Sequence, residues 1–356
     1  MEDLLLQNSV SRIKILQSLT NNIGAVFQVN SEIYSEQTHS ALKVDKIFKF
    51  RPISFSFVAL HPCPKGIVQF IGGAFFGSFP TFFYEYLLKQ FFLAGYTVVA
   101  FPFRFTFNHW AVATSLLREQ QHLRPLLAEL AHKLGYSSQI YSQQETYSWV
   151  GHSLGCKYIA LLELLAEWDS DENKPRDLIQ QHAKRPHYQI EEIERGLAGI
   201  KISIKDQVSV LIAPDIGDTA DAIKLPFVPQ ILDKFGLGVL PTKIATFKFI
   251  RQSALFHLAG MASFDKDNIA GNLTSTPGPD NVVLTLFEIL EPKLLHQEIE
   301  GRHLRPLGTE LGSRVWGPIA PPPHDLIPLV LEFIQLLKER LLSGVPAMVQ
   351  QVPHKG

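Results

Sequence analysis

The chain is poor in cysteine, with two in 356 residues, Cys63 and Cys156. That number excludes a disulfide framework. No C-x-x-C or H-E-x-x-H spacing occurs, so neither metal nor cofactor is expected from cysteine or histidine patterning. Charge of one sign is missing too: 33 Lys and Arg face 34 Asp and Glu, for a net charge of -1. No basic stripe is available to neutralise phosphates, which argues against nucleic acid as a partner. No stretch of 18 apolar residues is free of charge, so no transmembrane segment is expected. The start, Met1-Glu2-Asp3-Leu4, lacks the positive stretch of a secretory signal. Together these absences predict a soluble cytoplasmic protein. What remains is abundant apolar material, 46% of residues, enough to bury a large core.

Most of the chain reads as alternating strands and helices. Strands are expected over Phe55–Leu60, Gly66–Ile71, Tyr96–Phe101, Tyr147–Val150 and Val208–Ala213, with Val282–Phe287 next and a shorter one at His296–Glu300. Several are nearly continuous apolar runs, as in parallel strands buried on both faces. Helices are expected from about Pro80 to Leu93, from Leu116 to Leu134 and from Leu326 to Leu341. This alternation predicts an α/β architecture, a mostly parallel sheet with helices on both faces. An N-terminal helix and lead-in are expected over 1–45, the main domain over 46–343 and a mobile tail over 344–356. Two insertions interrupt the domain: a charged one at about 167–205 and a Phe-, Leu- and Pro-rich one at about 218–280. They are read as a two-part cap over the active site.

The densest chemical signal is Gly151-His152-Ser153-Leu154-Gly155, between the strand Tyr147–Val150 and a helix beginning at Cys156. G-x-S-x-G at such a junction is the nucleophile elbow of α/β-hydrolases. The motif arises by chance in roughly one chain in ten of this size, so its setting carries the weight. A serine there needs a base, and the base needs an acid to hold its tautomer. In this fold the chain order is Ser, acid, His. His303, in Gly301-Arg302-His303-Leu304 after the last strand, is the expected base; His324 is its competitor. The acid is expected just past the strand ending at Phe287, with Glu291 favoured and Glu288 or Asp215 as alternatives. An oxyanion hole needs two backbone N–H groups. Leu154 supplies one, and Gly73 or Ala74, in Gly72-Gly73-Ala74-Phe75-Phe76-Gly77, supplies the other. That turn lacks the G-x-G-x-x-G spacing of a dinucleotide loop. Cys156 reads as a core residue and His152 as packing.

The segments Phe70–Phe75, Phe101–His109, Gly151–Gly155 and Gly301–Pro306 resemble domain-of-unknown-function family 1350, known from cyanobacteria and plastids and placed among the α/β-hydrolases. The likeness runs from about Arg51 to Pro306. It implies the α/β-hydrolase fold and a serine hydrolase site, with no established substrate. Relatives carry aspartates directly after the penultimate strand, where this reading finds Glu288 and Glu291. Asn108-His109 also looks like a family feature, shaping the pocket rim.

The resulting expectation is a serine hydrolase that takes a small-molecule ester or thioester with an apolar acyl group. Two rivals stand beside it: an idle hydrolase fold kept as a binding or scaffold protein, and a non-hydrolytic acyltransferase using the same elbow. Neither the residues nor the resemblance points to a particular protein partner.

Overall fold

The computed structural model describes residues 46–166, 168, 175–218, 238–253, 256–278, 280–311, 314–316 and 325–343. The expected N-terminal helix, the tail, His324, the charges at Asp169–Asp171 and residues 219–237 of the second insertion lie outside them. The chain divides into two compact units, Met1–Phe48 and Lys49–Gly356. The sheet and the candidate site lie entirely in the second.

Eight strands form the main sheet: β1 (Arg51–Ile53), β2 (Ser56–Ala59), β3 (Ile67–Ile71), β4 (Thr97–Ala100), β5 (Tyr147–His152), β6 (Val208–Ile212), β7 (Ala259–Phe264) and β8 (Leu295–Ile299). Their order is β1-β2-β4-β3-β5-β6-β7-β8. The β1–β2 and β2–β4 pairs are antiparallel. Every pair from β4 to β8 is parallel. This strand order, with its antiparallel entry, is that of the α/β-hydrolase fold. β3, β5 and β6 are buried along their whole length, which is why they read as unbroken apolar runs rather than alternating ones.

Helices fill the connections: α1 (Pro80–Phe83), α2 (Glu85–Leu93), α3 (His109–Lys133), α4 (Leu154–Leu165), α5 (Pro175–His182), α6 (Pro186–Leu197), α7 (Lys243–Gln252), α8 (Val282–Leu290) and α9 (Leu326–Ser343). α3 begins earlier than its apolar spacing suggests, because the Asn108 side chain accepts the Ala111 N–H at 3.1 Å and caps it. None of the described helices is long and apolar enough to cross a membrane.

The first insertion folds into α5 and α6. α6 lies against α3: Trp110 Nε1–H donates to Gln189 at 2.7 Å, and Gly196 approaches Thr114 too closely for a side chain.

Two expectations need correction. Val282–Phe287 is not a strand but the body of α8. The Asn281 side chain caps it by accepting the Leu284 N–H, and Val282, Val283, Leu286 and Leu290 bury one helical face. The penultimate strand is instead β7, inside the stretch assigned to the second cap insertion. Its sequence, Ala259-Gly260-Met261-Ala262-Ser263-Phe264, is too rich in small residues to read as a strand. The reason for small residues is contact: a Cβ on Gly260 would stand 2.9 Å from the Phe333 ring of α9.

Candidate active site

The turn between β5 and α4 puts Ser153 at φ 54°, ψ -123°. A residue with a side chain held there stores roughly 1–3 kcal/mol of strain. The surroundings hold the strain in place. The Ser153 N–H donates to the Ile212 carbonyl at 3.1 Å, and its own carbonyl accepts from Cys156 and Asp215. Both motif glycines are dictated by contact. A Cβ on Gly155 would lie 2.2 Å from the Ile71 carbonyl oxygen, and one on Gly151 would lie 2.7 Å from Ile159 Cδ1.

His303 follows β8 on a loop whose Gly301 has φ +153° and no room for a side chain beside Arg305. Its Nε2 lies 2.8 Å from Ser153 Oγ. Its Nδ1 lies 2.8 Å from Oδ2 of Asp267. Ser153, His303 and Asp267 are 7%, 4% and 2% exposed. The other Asp267 oxygen accepts the Ile269 and Ala270 N–H groups at 2.8 and 2.9 Å. An imidazole so placed can take a proton from the hydroxyl while the carboxylate steadies the charge that results.

The expected acid is therefore corrected. Glu291 ends α8 and is exposed, and Glu288 is exposed on the same helix. Asp215 donates its backbone N–H to the Ser153 carbonyl at 3.2 Å, while the carboxylate facing His303 Nδ1 belongs to Asp267. Asp267 was missed because its strand was missed. Asp265 and Asp267 lie just past the end of β7 at Phe264. Asp265 braces the histidine loop, its carboxylate accepting the Gly301 N–H at 2.8 Å.

The glycine turn after β3 lies against the serine: a Cβ on Gly73 would stand 3.0 Å from Ser153 Cβ and 3.4 Å from Oγ. However, the Gly73 N–H donates to Tyr84 Oη at 2.7 Å. Gly73 thus drops out as an oxyanion donor, which leaves Ala74 on that side. Leu154 is the first residue of α4, where an N–H has no partner within its own helix. Cys156 is buried beneath the elbow, its Sγ 3.3 Å from the Gly151 carbonyl. Burial pushes its thiol pKa up, away from the reactive thiolate. His109 packs its ring edge-on against Tyr158 with centroids 5.3 Å apart. It is buried beside the elbow helix rather than on an open rim. Among the described residues, no cluster of His, Cys, Asp and Glu is arranged to hold a metal.

No curated protein matches the chain. Among solved structures it resembles a propionate-bound thermophilic esterase of the planctomycete Thermogutta terrifontis. The two are 13% identical with a TM-score of 0.44, over 86% of this chain and 98% of that one. It also resembles an esterase of Pyrococcus furiosus at 13% identity and a TM-score of 0.41, over 81% of this chain and 93% of that one. Over residues 49–184 the chain matches the family described as "Protein of unknown function (DUF1350)".

Proposed function

We propose that the protein is a serine hydrolase that cleaves an ester or thioester with an apolar acyl group. The observation that carries this reading is the continuous hydrogen-bonded line from Ser153 Oγ through His303 to Asp267, 2.8 Å at each step. It starts at a serine held in strained backbone geometry. In the proposed reaction Ser153 Oγ attacks the acyl carbon as His303 Nε2 takes its proton. The N–H groups of Leu154 and Ala74 receive the developing oxyanion. His303 then passes the proton to the departing alcohol or thiol, and a water repeats the sequence to release the acid.

The acyl preference is motivated by the turn that carries Ala74. Phe75 is 65% exposed and stacks on Phe105, and Phe79 and Phe82 nearby are also exposed. The scaffold reading rests on a missing aspartate and on the charged insertion at about 167–205 as a partner surface; Asp267, beside His303, speaks against the first of these.

The test is labelling with a fluorophosphonate probe, alongside hydrolysis of p-nitrophenyl esters of graded chain length. Wild type is expected to label and to turn over the esters, while Ser153→Ala does neither. Equal labelling of Ser153→Ala, or no labelling of folded wild type, overturns the proposal.

A further inference from the structure

The residue before the nucleophile, His152, is fully buried and plays no part in the proton transfers above. Its hydrogen bonds form an ordered chain. Tyr84 Oη accepts the Gly73 N–H at 2.7 Å. Tyr84 Oη also lies 2.8 Å from His152 Nδ1, and His152 Nε2 lies 2.8 Å from the backbone carbonyl of His303. A carbonyl can only accept, so Nε2 must carry a hydrogen. Burial lowers the His152 pKa to about 3, aided by the neighbouring His303 ring, so the imidazole is neutral and Nδ1 is a bare acceptor. The Tyr84 hydroxyl therefore donates to Nδ1, which leaves its oxygen free to accept from Gly73. Every donor in the chain meets one acceptor, and one tautomer satisfies all of them.

The two ends of this chain are two parts of the site that the elbow does not itself carry. One is the turn bearing Ala74; the other is the loop bearing the base. We infer that Tyr84 and His152 are positioning residues that hold the oxyanion turn and the His303 loop in a common frame set by the elbow. The inference rests on the serine-hydrolase reading and adds two residues to it. A packing role alone would not require this alignment of donors. Any buried ring at position 152 would fill the space, and a phenylalanine at 84 would serve as well as a tyrosine.

Tyr84→Phe deletes one hydroxyl and keeps the ring, which packs edge-on against Phe70 at 4.7 Å between centroids. It leaves the Gly73 N–H and His152 Nδ1 without partners. The expected effect is smaller than losing an oxyanion donor outright, which costs roughly 100- to 1000-fold. A fall in kcat or in phosphonylation rate of about tenfold is expected, with KM little changed. His152→Gln should retain part of the rate by offering an amide N–H to the His303 carbonyl, whereas His152→Phe should not. Independently of any variant, histidine-selective ¹⁵N NMR of wild type should show His152 as the neutral Nε2–H tautomer between about pH 5 and 8.

Wild-type labelling by fluorophosphonate decides whether the underlying reading holds, and its absence overturns both. If wild type labels and folded Tyr84→Phe labels at the same rate, the positioning role is wrong while the hydrolase reading stands. Should Tyr84→Phe fail to fold, the tautomer decides. An Nδ1–H or titrating His152 overturns the inference, and the Nε2–H form supports it.

Discussion

Replacing Asp267 by asparagine should separate catalysis from stability, because the two oxygens of this carboxylate do different things. Oδ1 accepts two backbone N–H groups, from Ile269 and Ala270, at 2.8 and 2.9 Å. Oδ2 faces His303 Nδ1. An asparagine must keep its single oxygen on the two N–H groups, since a buried donor left unpaired costs about 1–3 kcal/mol. Its NH₂ group then points at Nδ1, which becomes an acceptor and drives the hydrogen to Nε2. The atom facing Ser153 Oγ is then a donor and can no longer take its proton. In an equivalent substitution elsewhere the wrong tautomer lowers kcat by about 10⁴-fold, or about 5 kcal/mol of barrier. The expected result is a loss of ester turnover of about 10³- to 10⁴-fold, with a melting temperature close to wild type. Asp267→Ala should lose both activity and stability, because it strands the two N–H groups. The assay is single-turnover phosphonylation with Ser153 intact, paired with thermal unfolding. An asparagine variant that reacts within tenfold of wild type would refute the assignment of Asp267 as the orienting acid.

Two further outcomes test the frame around the site. Gly155→Ala puts a methyl group 2.2 Å from the Ile71 carbonyl oxygen and 2.8 Å from that of Gly72, and backbone there cannot swing aside like a side chain. Separating α4 from β3 should cost about 3 kcal/mol and lower the melting temperature by roughly 4 °C; an unchanged melting curve would show that the close approach is not maintained in solution. Burial raises the pKa of Glu163 from 4.5 to about 8, although the Ser209 hydroxyl donates to it at 3.0 Å. The unfolded chain releases this proton near the ordinary value and the folded protein holds it until about pH 8. Its contribution is therefore fully present below pH 4.5 and is lost as pH rises through about 8. Glu163→Gln should gain stability over wild type progressively across that window, and parallel stability curves for the two proteins would count against a neutral buried carboxyl.

The parts of the fold that could be read from the sequence were those governed by local contrast. Continuous apolar runs marked β3 to β6 because both sheet faces are covered. The elbow stood out because two contact-forced glycines flank a polar apex between a strand and a helix. His303 followed from chain order. β7 was not legible because its composition answers to α9 rather than to the sheet: small residues let Phe333 approach Gly260. Val282–Phe287 misled because branched residues suggest a strand. The pattern of one buried face at 282, 283, 286 and 290, with Asn281 as a cap, marks a helix. The Gly73 N–H could not have been discounted from sequence, since the oxygen that engages it belongs to Tyr84, and only the tertiary fold brings that phenol to the turn.

The missed acid also explains how the site is aligned. In a parallel sheet the C-terminal ends of all strands emerge along one edge, so side chains just past neighbouring strands are neighbours in space. β7 and β8 are paired with Phe264 opposite Ile299. Their pairing continues beyond the strands: the Asp265 N–H donates to the Ile299 carbonyl at 3.1 Å, and the Lys266 N–H donates to the Gly301 carbonyl at 3.0 Å. The acid loop and the base loop are thus extensions of one ladder, and the Asp267–His303 contact inherits the register of the sheet. Only the serine comes from elsewhere, from β5, and it needs the strained turn to rise to the height of the imidazole. Sheet register sets the relation of Asp267 to His303, and the turn after β5 sets the relation of Ser153 to His303. This division of labour accounts for why Ser153 and its turn stood out as a short motif in the sequence, whereas Asp267 did not.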